Sequence, residues 1–262
     1  MPAARGKLSV TATPIGNLED ITLRALRVLK EADVIAAEDT RITRRLLTRH
    51  NIATLMVSFF EHNEIKRLPE LIGRMKEGDR VALVSDAGTP GISDPGFRLV
   101  KACVDEGIDI EVIPGPSAAI AAISVSGLPT DRFLFLGFLP RKDGERRRLL
   151  ESLQEERGTI VVYESPHRVQ RTLIAIRDVL GDRPVALARE LTKKFEEVKR
   201  GTAAEILTEI GEKKIKGEIT IVIGGKLKKP KTKYQKPKTE GGTYQEQSSR
   251  GVPNDFSGRR GN

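Results

Sequence analysis

Five short apolar runs in this chain each stop in a cluster of glycine, proline, small polar or charged residues. The runs are 8–12, 33–37, 80–84, 110–113 and 159–163, followed by clusters at 13–18, 38–41, 85–96, 114–118 and 163–168. Helical patterns lie between the first four runs. Strands alternating with helices predict an α/β fold with a parallel sheet. Carboxyl ends of parallel strands share one edge, where such sheets bind ligands. Four clusters are therefore expected to meet at one cleft, with 163–168 supplied by a second domain.

The cluster 85–96, Ser-Asp-Ala-Gly-Thr-Pro-Gly-Ile-Ser-Asp-Pro-Gly, is the densest. Three glycines and two prolines in twelve residues can extend neither the strand Arg80-Val81-Ala82-Leu83-Val84 nor a helix. Glycine lets backbone groups approach a bound molecule, and Asp86, Asp94, Thr89 and two serines add polar side chains. A ligand loop is expected, since an ordinary turn needs far fewer such residues.

Elsewhere a helix is predicted from Asp20 or Thr22, with Leu23, Leu26 and Leu29 on one face. A helix near 42–50 and a strand at 53–58 follow. Pro69 is expected to open a helix that Gly78 closes. A helix at 96–106 comes next. Pro114-Gly115-Pro116 turns the chain, and Ser117 is a candidate cap for a small-residue helix at 118–126. Strands at 133–138, 159–163, 184–188, 196–200 and 218–224 then sit among helices near 144–156, 167–180 and 202–212. Their short connectors predict a mixed sheet. Two domains result, 7–114 and 117–226, hinged near 114–117.

Of the net charge of +9, +6 falls in residues 227–262, which carry nine Lys/Arg and three acids. That stretch has too few aliphatic residues to build a core and is expected to be a disordered basic tail. It suits either a solvated terminus or an arm that contacts RNA phosphates. A single cysteine, Cys103, excludes an internal disulfide framework and is expected to be buried and inert. With His50, His62 and His167 not at ligand spacing, no metal site is expected. No secretory signal and no membrane-length apolar run are read, so a cytoplasmic protein is expected. Walker A, G-x-G-x-x-G and G-x-S-x-G patterns are absent, which argues against a P-loop NTPase, an ordinary Rossmann site and a serine hydrolase.

Seven motifs in order carry a resemblance: Thr13 to Ile21, Glu38 to Arg41, Ser85 to Gly96, Ser126 to Pro129, Gly137 to Pro140, Tyr163 to Arg168 and Arg189 to Lys194. Over about residues 7–226 the chain resembles the small-subunit ribosomal RNA methyltransferase I family, 2′-O-ribose methyltransferases of the tetrapyrrole methylase superfamily. The resemblance implies S-adenosylmethionine bound between two α/β domains and a homodimer. It implies small-subunit ribosomal RNA or a 30S-type subunit as partner, the acceptor being a cytidine ribose in the decoding region. Carried over by motif, the cofactor residues are Pro14, Asp86, Ala87, Gly88, Thr89, Ile92, Ser117, Ala118, Tyr163 and Ile219. The glycine loops and a helix N-terminus offer N–H donors that agree with this.

Methyl transfer from a sulfonium needs the acceptor oxygen held in line and its proton removed. Glu38, Asp39 and Arg41 offer a carboxylate and a cation at a strand end, and Asp39 with Arg41 also suits a structural pair closing a turn. Glu190 with Lys193 and Lys194 is the second candidate, and Lys194 completes the catalytic set with Glu38, Asp39 and Arg41. Asp94 is expected to cap the following helix. His167, at a helix start, is read as structural or RNA-contacting rather than as a base. Arg141, Lys142, Arg146, Arg147 and Arg148 are expected to meet phosphates. With eight Phe, three Tyr and no Trp, recognition by shape and backbone is favoured over base stacking. The rivals are a superfamily methyltransferase acting on a tetrapyrrole or protein acceptor, and a non-catalytic RNA-binding assembly factor.

Overall fold

Buried parallel strands read as continuous apolar runs, because helices cover both faces. β2 (Val34–Ala37) is buried at all four positions and β4 (Arg80–Val84) at all but its first. With β1 (Lys7–Thr11), β3 (Met56–Ser58) and β5 (Asp109–Ile113) they form a parallel sheet in the order β3-β2-β4-β1-β5. This is a computed structural model, and it describes residues 6–211 and 214–226. The tail expected at 227–262 lies outside the described residues.

The period-two alternation of strands divides this sheet's side chains between two cores. Leu8, Val34, Ala36, Val81 and Leu83 face α3 (Glu64–Lys76) and α4 (Phe97–Asp105). Ile35, Ala37, Ala82 and Val84 face α1 (Leu23–Glu31) and α2 (Thr40–Arg49). The Thr22 and Asp39 side chains cap α1 and α2 by accepting backbone amides of their first turns.

The second sheet belongs to the same compact unit and is mixed, as its short connectors predict. Its strands are β6 (Phe133–Phe138), β7 (Thr159–Glu164), β8 (Pro184–Arg189), β9 (Glu197–Thr202) and β10 (Ile219–Ile223), in the order β6-β7-β10-β8-β9. β6 and β7 are parallel, and the other pairings are antiparallel. α6 (Asp143–Ser152), α7 (Val169–Leu180) and α8 (Ala203–Ile210) cover one face. α5 (Ala118–Ser126), with Ile15 and Leu191, covers the other.

One expectation fails here. Pro69 does not open α3 but lies inside it. The proline and Ile65, whose carbonyl loses its helical partner, are both exposed, so water can serve that carbonyl. Leu71, Ile72 and Met75 are buried on the opposite side and hold the helix through the defect. The basic run at 141–148 is largely engaged within the chain. Arg146 is buried and pairs with Asp143, Arg147 pairs with Asp143 and Asp178, and Lys142 pairs with Glu145. Only Arg141 and Arg148 of the five are exposed without an ion pair among the described residues.

Candidate active site

The loops at the carboxyl edge of the first sheet are stitched to one another through the Asp86–Thr89 segment. Thr13 N–H donates to Gly88 O at 2.8 Å and Gly88 N–H returns a bond to Thr13 O at 3.1 Å. Asp39 N–H donates to Asp86 Oδ1 at 2.9 Å, while Asp86 N–H donates to Glu38 Oε2 at 3.2 Å. The Thr89 hydroxyl reaches Pro116 O at 3.4 Å. The first loop also docks on the segment after β8: Asn17 N–H donates to Thr192 Oγ1 at 3.1 Å. Gly16 is required at that contact, because a Cβ there would lie 2.5 Å from Lys193 Cγ.

These loops wall a cavity of about 360 Å³, within the range of small-molecule sites. Of the ten expected cofactor residues, Ala87, Gly88, Thr89, Ile92, Ser117, Ala118, Tyr163 and Ile219 line it. Pro14 and Asp86 line the adjoining groove, together with Lys193 and Arg45. Ile15, Ile92, Phe138 and Ile219 give the cavity an apolar side, and Thr89, Ser117 and Thr220 supply hydroxyls. That donor set suits an adenosine with a polar amino-acid tail. The Tyr163 ring is fixed edge-on by Phe135 and Phe138, with centroids 4.9 and 5.6 Å away. Its hydroxyl faces the Ala119 amide and the Ser117 hydroxyl at the start of α5. Ser117 occupies the N-cap position but makes no capping bond.

Sequence reasoning missed Glu218 and Thr220 on the cavity wall. The rule about carboxyl ends holds for parallel strands. β10 runs antiparallel to β7 and β8, so its beginning meets their ends: Ile219 pairs with both Glu164 and Arg189.

Residues 7–207 match the family model described as Tetrapyrrole (Corrin/Porphyrin) Methylases. The chain belongs to the tetrapyrrole methylase family. Within it, the chain is 52% identical over 221 residues to Ribosomal RNA small subunit methyltransferase I of Thermotoga maritima, covering 84% of this chain and 99% of that one. The protein of the same name from Halalkalibacterium halodurans is 51% identical over 221 residues, covering 84% of this chain and 76% of that one. Among solved structures, uroporphyrin-III C-methyltransferase from Thermus thermophilus in complex with S-adenosylhomocysteine has the same fold, with a TM-score of 0.59 at 21% identity, covering 84% of this chain and 97% of that one.

In this tetrapyrrole methylase the carboxylates at the loop edge differ sharply in environment. Asp39 caps α2 and grips Arg41, whose Nη2 is 2.6 Å away. The Arg41 hydrogen bonds hold its pKa down to about 2. Arg41 is otherwise exposed. Burial pushes the Glu38 and Asp86 carboxyls up, each against the backbone N–H it accepts. Burial, then the charge of Glu38, pushes Asp94 up to about 7. Asp94 does not cap α4, whose N-cap is Gly96 with no side-chain bond; it faces the cavity instead.

On the opposite wall, Lys193 bridges Glu190 and Glu218 at 3.0 Å each and borders the adjoining groove. Lys194 does not reach the cavity wall; it is exposed and sits over the Phe195 ring, 5.6 Å from its centroid. Glu164 is fully buried and receives Arg168 at 2.6 Å, Thr172 Oγ1 at 2.5 Å and Ser165 N–H at 2.6 Å. The 163–168 motif is thus pinned from inside while Tyr163, Ser165 and Pro166 line the cavity. His167 is exposed and outside that lining.

Proposed function

We propose that this chain is an S-adenosylmethionine-dependent methyltransferase that modifies the ribose 2′-hydroxyl of a cytidine in the decoding region of small-subunit ribosomal RNA. One observation carries this reading: a stitched loop cavity fit for the cofactor, in a chain 52% identical over 99% of the length of a protein named Ribosomal RNA small subunit methyltransferase I. S-adenosylmethionine supplies a methyl group on a sulfonium sulfur. The Gly88 loop, Tyr163 and the start of α5 would hold the cofactor, with Ile15, Ile92 and Ile219 against its apolar surface.

An RNA acceptor is supported by α2. Arg44, Arg45 and Arg49 are exposed, have no ion-pair partner among the described residues, and line a shallow groove with Arg41 and Leu18. That groove shares Leu18 and Arg45 with the recess holding Pro14 and Asp86, which in turn shares Ala87 and Glu218 with the cavity. A phosphate track along α2 would bring a ribose toward the cavity. In this reading Glu38, Asp39 and Arg41 set the position of the loop and the nucleotide, and Lys194 meets a phosphate. The two sheets are read as two α/β domains, 7–114 and 117–226. A homodimer in the cytoplasm completes the reading. Ile110 and Val112 on the β5 edge, where Arg24 bonds the Val112 carbonyl, are exposed apolar side chains a second copy would cover.

The test is transfer of labelled methyl from S-adenosylmethionine to unmodified small subunits, followed by nucleoside analysis. The expected product is 2′-O-methylcytidine. Label on another nucleoside, on protein or on a tetrapyrrole overturns the acceptor assignment.

A further inference from the structure

Asp94 stands where two recesses meet. It lines the cavity and also the neighbouring cleft bounded by Glu38, Glu61, Glu64 and Arg98. Among the described residues it is the one carboxyl common to both walls. The other acids on the cavity wall are held by cations, Glu164 by Arg168 at 2.6 Å and Glu218 by Lys193 at 3.0 Å. Asp94 has no ion-pair partner among the described residues. Arg98, the cation across the second cleft, is tied to Glu64 at 2.6 Å.

The loop holds this carboxyl under constraint. Ser93, just before it, sits at φ +64°, a conformation non-glycine residues seldom adopt. Gly91 N–H donates to Pro95 O at 3.1 Å and closes the tip. β6 presses on the tip from outside: a Cβ on Gly137 would be 2.7 Å from Ser93 Oγ. Backbone strain of this kind persists where surrounding contacts enforce it and clusters at active sites.

We infer that Asp94 is the proton acceptor of the methyl transfer, an inference that rests on the function proposed above. As the 2′-oxygen bonds to the methyl carbon, the carbon–sulfur pair stays on sulfur and the hydroxyl proton passes to the Asp94 carboxylate. The second cleft then gives that proton a route to solvent. Asp39 is a poor alternative, since Arg41 holds it in its weakly basic form. The charged groups facing Asp94 are Glu38, Asp86 and Glu218, and the Ser85 hydroxyl beside it acts against their upward push on its pKa. Burial, and after it the like charges, give it a proton affinity matched to neutral pH, where a general base works best.

The experiment compares wild type with Asp94→Asn in single-turnover methyl transfer across pH, with cofactor affinity measured on the same samples. Removal of a general base is expected to slow transfer by about 10²–10⁴-fold while cofactor affinity holds. The wild-type rate is expected to rise with pH through an apparent pKa near 7. Asp94→Asn loses that limb, and Glu38→Gln moves it to lower pH by removing a like charge. An Asp94→Asn protein that keeps both rate and limb overturns the assignment. A loss of cofactor binding equal to the loss of rate also overturns it, in favour of a donor-site role. Wild type that labels no acceptor overturns the proposed function and, with it, the role of Asp94; label on a different acceptor overturns the function alone, since the wild-type and variant profiles still decide Asp94.

Discussion

Replacing Arg168 with methionine removes the cation from a carboxylate that has no access to water. Glu164 is fully buried, and Arg168 is only 20% exposed at its side chain. Breaking a buried pair by removing one partner costs about 3–5 kcal/mol. Two features lower that figure here. The Ser165 amide and the Thr172 hydroxyl still donate to Glu164, at 2.6 and 2.5 Å. Arg168 also keeps some contact with solvent. One further loss raises it, because Arg168 Nη1 donates to Leu139 O at 3.2 Å. The balance is a destabilisation of about 2–3 kcal/mol. Urea titration of wild type, Arg168→Met, Glu164→Gln and the double variant measures it. The double variant should lose less than the sum of the single losses, since the unpaired charge is gone. Cofactor affinity should fall in Arg168→Met as well, because Tyr163, Ser165 and Pro166 line the cavity from this pinned turn. An Arg168→Met protein within about 0.5 kcal/mol of wild type, the range of ordinary surface changes, refutes the reasoning.

Other perturbations give distinct outcomes. Gly96→Ala places a Cβ 2.9 Å from Leu83 Cδ2 at a φ of +140°; it should cost about 1–3 kcal/mol and weaken cofactor binding, read by thermal melts and calorimetric titration. Arg44→Ala and Arg49→Ala should each lower the salt dependence of RNA binding by about one unit of log–log slope and leave cofactor affinity unchanged. Asp94 has a folded pKa of about 7 against an ordinary value of 3.8, so it binds its proton more tightly when folded. Its contribution to stability is present at low pH and is lost as pH rises through 7. Asp94→Asn should therefore match wild type near pH 4 and exceed it in stability above pH 7 in denaturant titrations.

The strand order of events along the chain was largely readable because buried strands leave little choice. Val34 to Ala37 and Val81 to Val84 are apolar without interruption, and only a covered sheet tolerates that. The cavity wall was readable for a related reason: the Ser85–Gly96 composition suits a loop that leaves space beside it, and Ala87, Gly88, Thr89 and Ile92 line the cavity. Less was visible where tertiary packing overrides a local rule. Pro69 looks like a helix start, yet burial of Leu71, Ile72 and Met75 extends the helix on both sides of it. The neighbouring lysines at 193 and 194 are indistinguishable in sequence; in the fold the first pairs with Glu218 and the second lies over the Phe195 ring, after a turn in which Glu190 and Thr192 both adopt positive φ. Asp94 resembles a helix cap by position, and only the fold of its loop shows that it faces a cavity.

The placement of β10 has a consequence for how the molecule comes into being. It follows every other described strand in the chain, yet it lies at the centre of the second sheet, with β7 on one side and β8 on the other. Ile219 and Thr220, at its start, belong to the cavity wall. During synthesis the chain emerges from its N-terminus, so the first sheet can assemble while the second still lacks its middle. A nascent or prematurely stopped chain would lack the part of the cavity wall that Ile219 and Thr220 form. The cavity is completed only when residues 219–223 take their place between β7 and β8.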